Sequence, residues 1–156
     1  MGRFMNAKDA LSAPLAECYV TVEGSRYNFM QAINLTAEIK KTKSELPILG
    51  RTGKGNRSTG WKGTGKASFY YNSPVFRRIL KAYKETGEDI YFDIQITNED
   101  PSSSAGRQTV ILKDCNIDGG VIAKFDAKGS YLEEEIAFTF EDFEIPEMFG
   151  YIQGMI

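Results

Sequence analysis

From Tyr27 onward the odd positions read Tyr27, Phe29, Gln31, Ile33, Leu35, Ala37 and Ile39, while the even ones include Asn28, Asn34, Thr36, Glu38 and Lys40. A period of two marks a strand with one dry face and one wet face. At ~3.3 Å per residue a strand over 27–40 is about 45 Å long. A compact domain of 156 residues has a radius of gyration of roughly 15 Å and is about 40 Å across, so one body of this size does not easily cover such a strand. A second long alternating run, with Ile136, Phe138 and Phe140 on one parity, begins near Leu132. Overhanging strands leave backbone donors and acceptors unpaired along an edge, which monomers avoid and assemblies use to add a neighbour's strand. The residues alone leave two readings open: a subunit whose sheet continues into the next subunit, or a bulged, coiled strand inside a closed monomeric barrel.

The rest of the chain fits a single domain over 1–156. Residues 1–16 show no period and read as an N-terminal arm, and 148–156 as a C-terminal tail. Cys18 opens a strand that runs to a tight turn at Gly24 and Ser25, with glycine in first place. Residues 41–66 read as a long basic loop, because Gly50, Gly53, Gly55, Gly60, Gly63 and Gly65 crowd it and few apolar residues are left to bury. Ala67, Phe69 and Tyr71 resume alternation. Ser73 and Pro74 then open one helix, in which Val75, Phe76, Ile79, Leu80 and Tyr83 repeat at helical spacing until Gly87. Arg77, Arg78, Lys81 and Lys84 fall on the opposite, wet side. Further strands follow over 90–97 and 107–115, and Asp118 with Gly119 predicts a hairpin that folds 121–126 back. In the last strand Phe143 and Ile145 change parity, which predicts a bulge or bend, and Pro146 ends the pairing. The fold class is mainly β: an antiparallel sandwich or small barrel with one α-helix.

Composition narrows the function. Histidine is absent, which removes the commonest general base near neutral pH and a common nitrogen ligand for zinc. A net charge of -2 gives no whole-chain signal for nucleic acid or an anionic membrane. No segment reads as a secretory leader or a spanning helix, so the expectation is a cytoplasmic protein without a membrane anchor. Cys18 and Cys115 are the only cysteines and read as small buried hydrophobes. Residues 60–67 nearly spell a phosphate-binding loop. However, Ala67 stands where a hydroxyl must reach Mg²⁺, and a strand follows where a helix is needed. No catalytic, cofactor-binding or metal residue is assigned.

Charge is sorted along the chain. Lys41, Lys43, Arg51, Lys54, Arg57 and Lys62 make the glycine-rich stretch a basic arm, and Glu133, Glu134, Glu135, Glu141 and Asp142 form an acidic run. Either run can be a plain solvated face. A basic loop carrying the only tryptophan, Trp61, could also grip single-stranded nucleic acid through phosphate contacts and stacking, which is the alternative function. The carboxylates lie on a strand, where consecutive residues point to opposite faces, so they do not read as a Ca²⁺ loop or an acid–base pair.

Several runs point to a known family: KSE at 43–45, ILGR at 48–51, TG at 59–60, GTGKASFY at 63–70, YF at 91–92, IA at 122–123, LEEE at 132–135, FTFEDF at 138–143 and PE at 146–147. In order and spacing, over two thirds of the chain or more, the sequence resembles the inner tail tube proteins of contractile phages and of phage-derived tail-like bacteriocins, of the kind found in defective prophages of Gram-positive bacteria. The resemblance implies a β-sandwich or small barrel with one helix, assembled into hexameric rings. Long hairpins from the subunits would close one large barrel around a lumen, and the rings would stack inside a contractile sheath. The implied partners are further copies of the chain, the sheath, baseplate and tail terminator proteins, and DNA passing through the lumen in a true phage. The implied location is a virion tail or tail-like particle assembled in the bacterial cytoplasm.

Within that frame Lys41, Lys43, Arg51, Lys54, Arg57, Trp61 and Lys62 become candidates for docking on an adjacent ring. Glu133, Glu134, Glu135, Glu141 and Asp142 become acidic partners for such docking. The wet-face residues Asn28, Asn34, Thr36 and Glu38 become candidates for a polar, acidic bore that repels DNA phosphate.

Overall fold

The computed structural model describes residues 5–152, 154 and 155. A 3-10 turn at Ala7–Asp9 precedes β1 (Ala16–Val22), β2 (Ser25–Asn28), β3 (Ala32–Leu46) and β4 (Gly55–Tyr70). Helix α1 (Val75–Thr86) follows, then β5 (Phe92–Glu99), β6 (Arg107–Ile117), β7 (Glu133–Phe140) and β8 (Asp142–Glu147). The ladders are antiparallel and join in the order β2-β1-β5-β6-β7-β4-β3, with β8 on β6. The sheet curls around one core but does not close, so β2 and β3 remain its edges.

The run expected as one strand over 27–40 is two strands meeting at a corner. Phe29 leaves the alternation to enter the core, where its ring lies 4.6 Å from Phe69 and 5.7 Å from Phe76. The corner is held by hydrogen bonds from Phe29 N–H to the Cys18 carbonyl (2.8 Å) and from Tyr70 N–H to the Gln31 carbonyl (2.9 Å). The first hairpin turns at Glu23 and Gly24, with φ of 49° and 81°, so glycine takes the second place of the turn, not the first. Both positions need positive φ, which matches the twist of the flanking strands.

Helix α1 buries Phe76 and Ile79 against the core and stops at Gly87, whose left-handed φ of 73° lets its N–H reach the Tyr83 carbonyl at 2.8 Å. Tyr83 stays more than half exposed. Arg77 is not on the wet side. Its guanidinium forks onto the Glu134 carboxylate at 3.0 and 3.3 Å, reaches the Val121 carbonyl at 3.3 Å, bonds the Ser73 carbonyl and lies over the Tyr71 ring at 4.3 Å.

Two other expectations change. Asp118 extends the β6–β7 pairing by one bond, from its N–H to the Ala137 carbonyl at 2.8 Å, and 119–132 then runs without regular structure; no hairpin forms over 121–126. At Glu141 the chain leaves β4's side and joins β6 as β8, which explains the parity change at Phe143. Pro146 lies inside β8, beside the slip between the Thr109 and Ile111 registers, where its missing N–H removes no ladder bond.

The N-terminal arm is docked through Asp9 and Ser12. Asp9 is buried and accepts from Ser104 N–H (2.8 Å) and Ser104 Oγ (2.7 Å), while Asp100 accepts from Ser12 N–H at 2.9 Å. The expected arm residues 1–4 lie outside the described residues.

Candidate assembly surfaces

The β3–β4 hairpin carries most of the candidate residues. Strands pair from Ala32 with Phe69 to Leu46 with Gly55, slipping first between Ala32 and Asn34 and again beside Thr42, where Thr59 Oγ1 donates to the Thr42 carbonyl at 3.1 Å. Fifteen residues of β3 span about 50 Å. β4 pairs with β7 only over 63–70. Beyond that point the hairpin stands free: from 38 to 62 every residue is exposed except Gly55, which is half-buried. The stretch expected as a loop over 41–66 is therefore strand on both sides of a turn at 47–54.

Glycine misled the sequence reading because two of its glycines are strand glycines facing aromatic rings. A Cβ on Gly63 would fall 2.4 Å from the Phe140 ring, and one on Gly65 2.3 Å from Phe138. Both rings belong to directly paired residues of β7. The missing side chains make room for the buried rings, and the β4 backbone keeps its ladder. Trp61, next on the same face, packs on Phe143 (centroids 5.7 Å) and Phe140 (6.3 Å). An indole packed edge-on against Phe143 and tilted against Phe140 is a poor platform for stacking a base, which removes the main support for single-stranded nucleic-acid binding.

Backbone groups define a second feature. β3 pairs with β4 alone, so its outer edge is unpaired along the whole strand, and β4 is unpaired on its β7 side over 55–62. Such an edge is a template for another strand.

The register gathers Asn34, Thr36 and Glu38 on one face with Ser68, Lys66 and Thr64, and with Glu135 and Thr139 of β7. Asn28 is not among them, since it pairs with Tyr19 on β1. The face is not acidic as expected. Lys40 lies directly opposite Lys62 and Lys66 opposite Thr36, so lysines match the carboxylates of Glu38 and Glu135. Like charges in direct register are unfavourable, although water screens them here.

The basic candidates are spread along the free hairpin. Lys41 is opposite Trp61, Lys43 opposite Ser58 and Arg57 opposite Ser44. Arg51 lies in the end turn, its N–H on the Ile48 carbonyl at 3.1 Å. Lys54 makes a 3.9 Å pair with Glu45, both side chains well exposed, a contact worth little in water. The acidic candidates divide. Glu133 and Glu135 lie at the end of β7 away from the hairpin tip, and Glu141 and Asp142 at the base of the free hairpin. Glu134 is interior, 1% exposed and paired with Arg77, so it is withdrawn from any docking surface.

The sequence reading missed an apolar surface where β4 ends. Tyr70 packs edge-on against Tyr131 (5.6 Å), and Ile122, Phe125 and Tyr131 are 66%, 90% and 64% exposed. Apolar residues without a period in the 119–132 segment were the available signal. Burial pushes the thiols of Cys18 and Cys115 up to about 11 and about 12, so both remain protonated. No cluster of metal-ligating side chains occurs among the described residues.

A family model described as phage tail tube protein matches residues 3–147. The chain belongs to the phage tail tube family. This tail tube chain is 43% identical over 111 residues to the phage-like element PBSX protein XkdM of Bacillus subtilis (strain 168), covering 71% of this chain and 76% of that protein. The tail tube fold is shared with a chain of the anti-feeding prophage cap, at a TM-score of 0.67 and 11% identity over 93% of this chain and 95% of that one. It is shared equally with a chain of the PVC sheath-tube complex of an extracellular contractile injection system, at 0.65 and 11% over 91% and 95%. At such identities the likeness is one of fold.

Proposed function

We propose that this tail tube subunit does no chemistry and works by polymerising: copies join side by side into hexameric rings, and rings stack into a hollow conduit inside a contractile sheath. The observation that carries the reading is the outer edge of β3, unpaired from end to end and longer than the body beside it. Adding a neighbour's strand there, ring after ring position, removes every edge and makes the finished sheet a property of the oligomer. The face with Asn34, Thr36 and Glu38 lines the bore, where mixed, well-hydrated charge offers DNA or another passenger no continuous attachment. The free hairpin, with Lys41, Lys43, Arg51, Lys54, Arg57 and Lys62, reaches the adjacent ring. Sheath, baseplate and terminator proteins are the further partners, and the particle is a phage tail or tail-like body assembled in a bacterial cytoplasm.

Electron microscopy of the purified protein over a range of concentrations tests this. Rings or hollow columns with six-fold symmetry are expected. A species that stays monomeric at every concentration overturns the proposal.

A further inference from the structure

We infer that the hairpin tip of one copy seats on the aromatic end of the copy stacked next to it, with Leu49 against Tyr70, Phe125 and Tyr131. This rests on the stacked-tube reading and supplies the surface that the free hairpin meets.

The two surfaces lie at opposite ends of the same strand. β4 starts at Gly55, beside the turn, and finishes at Tyr70, beside Tyr131, and its sixteen residues separate the ends by about 50 Å. A single copy cannot bring them together. Copies sharing an axis and a direction present the tip of one to the aromatic end of the next at every step. Such a contact is heterologous: it does not close on itself and extends without limit, as a column requires.

The chemistry of the two ends matches. Ile48 folds back over Gly55, where a Cβ would meet its Cδ1 at 2.8 Å, while Leu49 projects fully exposed. A two-stranded ribbon has no second layer with which to cover it. At the far end hydrogen bonds tie down the segment that carries the exposed aromatics: Tyr71 Oη donates to the Ile122 carbonyl (3.4 Å), Arg77 to the Val121 carbonyl (3.3 Å) and Lys124 Nζ to the Glu133 carbonyl (2.8 Å). A fixed apolar surface loses little freedom on being covered. Charge agrees in sign. Arg51 and Arg57 flank the tip, and Glu133 and Glu135 flank the aromatics with no ion-pair partner among the described residues. The basic groups near the aromatic end are Arg77, paired with the buried Glu134, Lys124, committed to a carbonyl, and Lys128.

The test uses the full chain with Leu49→Cys and Tyr131→Cys together, exposed to a short bis-maleimide after assembly. Cys115 is buried and Cys18 half-buried, and the native chain treated with the same reagent controls for their reaction. A ladder of covalent multimers on a denaturing gel is expected from columns seen by microscopy, and none from dilute protein. Leu49→Cys with Phe125→Cys is expected to give the same ladder if the tyrosine change disturbs the fold. Leu49→Asp is expected to raise the concentration needed for columns by on the order of tenfold or more. Columns of normal appearance that yield only the single-copy band overturn this inference and leave the tube reading standing, as does a ladder from Leu49→Cys alone. Wild-type protein that never forms columns overturns both.

Discussion

Gly65 of β4 lies directly under the ring of Phe138 on β7, so close that a Cβ there would fall 2.3 Å from the ring. The relationship repeats two pairs along, at Gly63 and Phe140, and makes these glycines parts of the core.

Gly65→Ala should therefore destabilise the subunit by about 1–3 kcal/mol, because Phe138 is buried and must leave its rotamer or push the strands apart. Gly60→Ala, with nothing within 4 Å of its Cβ, should be neutral. Urea denaturation of the two variants separates a strand glycine packed under a ring from a strand glycine with open space above it.

Arg77 and Glu134 tie the first turn of α1 to β7 and to the 119–132 segment. Arg77→Met leaves a carboxylate that is 1% exposed without a counter-charge and should cost about 3 kcal/mol. Arg77→Met combined with Glu134→Leu should recover most of the loss, since the desolvation penalty goes with the charges. A double-mutant cycle by chemical denaturation checks both.

The Ser104 N–H and hydroxyl bonds hold Asp9 below its ordinary value near 3.8. The folded value is lower than the unfolded one, so the bonds stabilise at pH above the ordinary value and are lost as pH falls through the folded value. Hydrogen exchange should show the Ser104 amide protected at neutral pH and released in acid. Asp9→Ala should leave it unprotected at both.

Reversing Arg51, Lys54 and Arg57 to glutamate should leave the unfolding midpoint of the subunit nearly unchanged, within about 0.5 kcal/mol, since all three are exposed on the outer part of the hairpin, away from the core. Column length should fall. Unchanged column length and stability under these reversals would remove the docking role of the basic hairpin.

Much of the fold was legible where one rule acted alone. Alternation marked the interior strands, and Ser73, Pro74 and Gly87 bracketed the helix. The resemblance reached the family directly. What could not be read were features decided by distant partners. Gly63 and Gly65 looked like loop residues because the rings that need their space come some seventy-five positions later, at Phe140 and Phe138. Arg77 looked solvated because helical spacing shows the face it leaves from, whereas its partner Glu134 is 57 positions away. Asp118 and Gly119 carried a hairpin signal, but Asn116, Ile117 and Asp118 bond to β7 instead, a partner some twenty positions later. Of the candidate surfaces, Asn34, Thr36 and Glu38 share one face of β3, as their parity requires, and Asn28 is separated from them by the corner at Phe29.

The hairpin's independence from the core bears on how fast tubes form. Beyond the packing of Trp61, a two-stranded ribbon exposed on both faces frays easily, so the first copies to meet must order it with few contacts in return. Later copies arrive at ribbons already held. Growth should therefore begin after a lag that shortens sharply with concentration or with added seeds, and a cell can hold a pool of soluble subunits until a preformed end starts the tube.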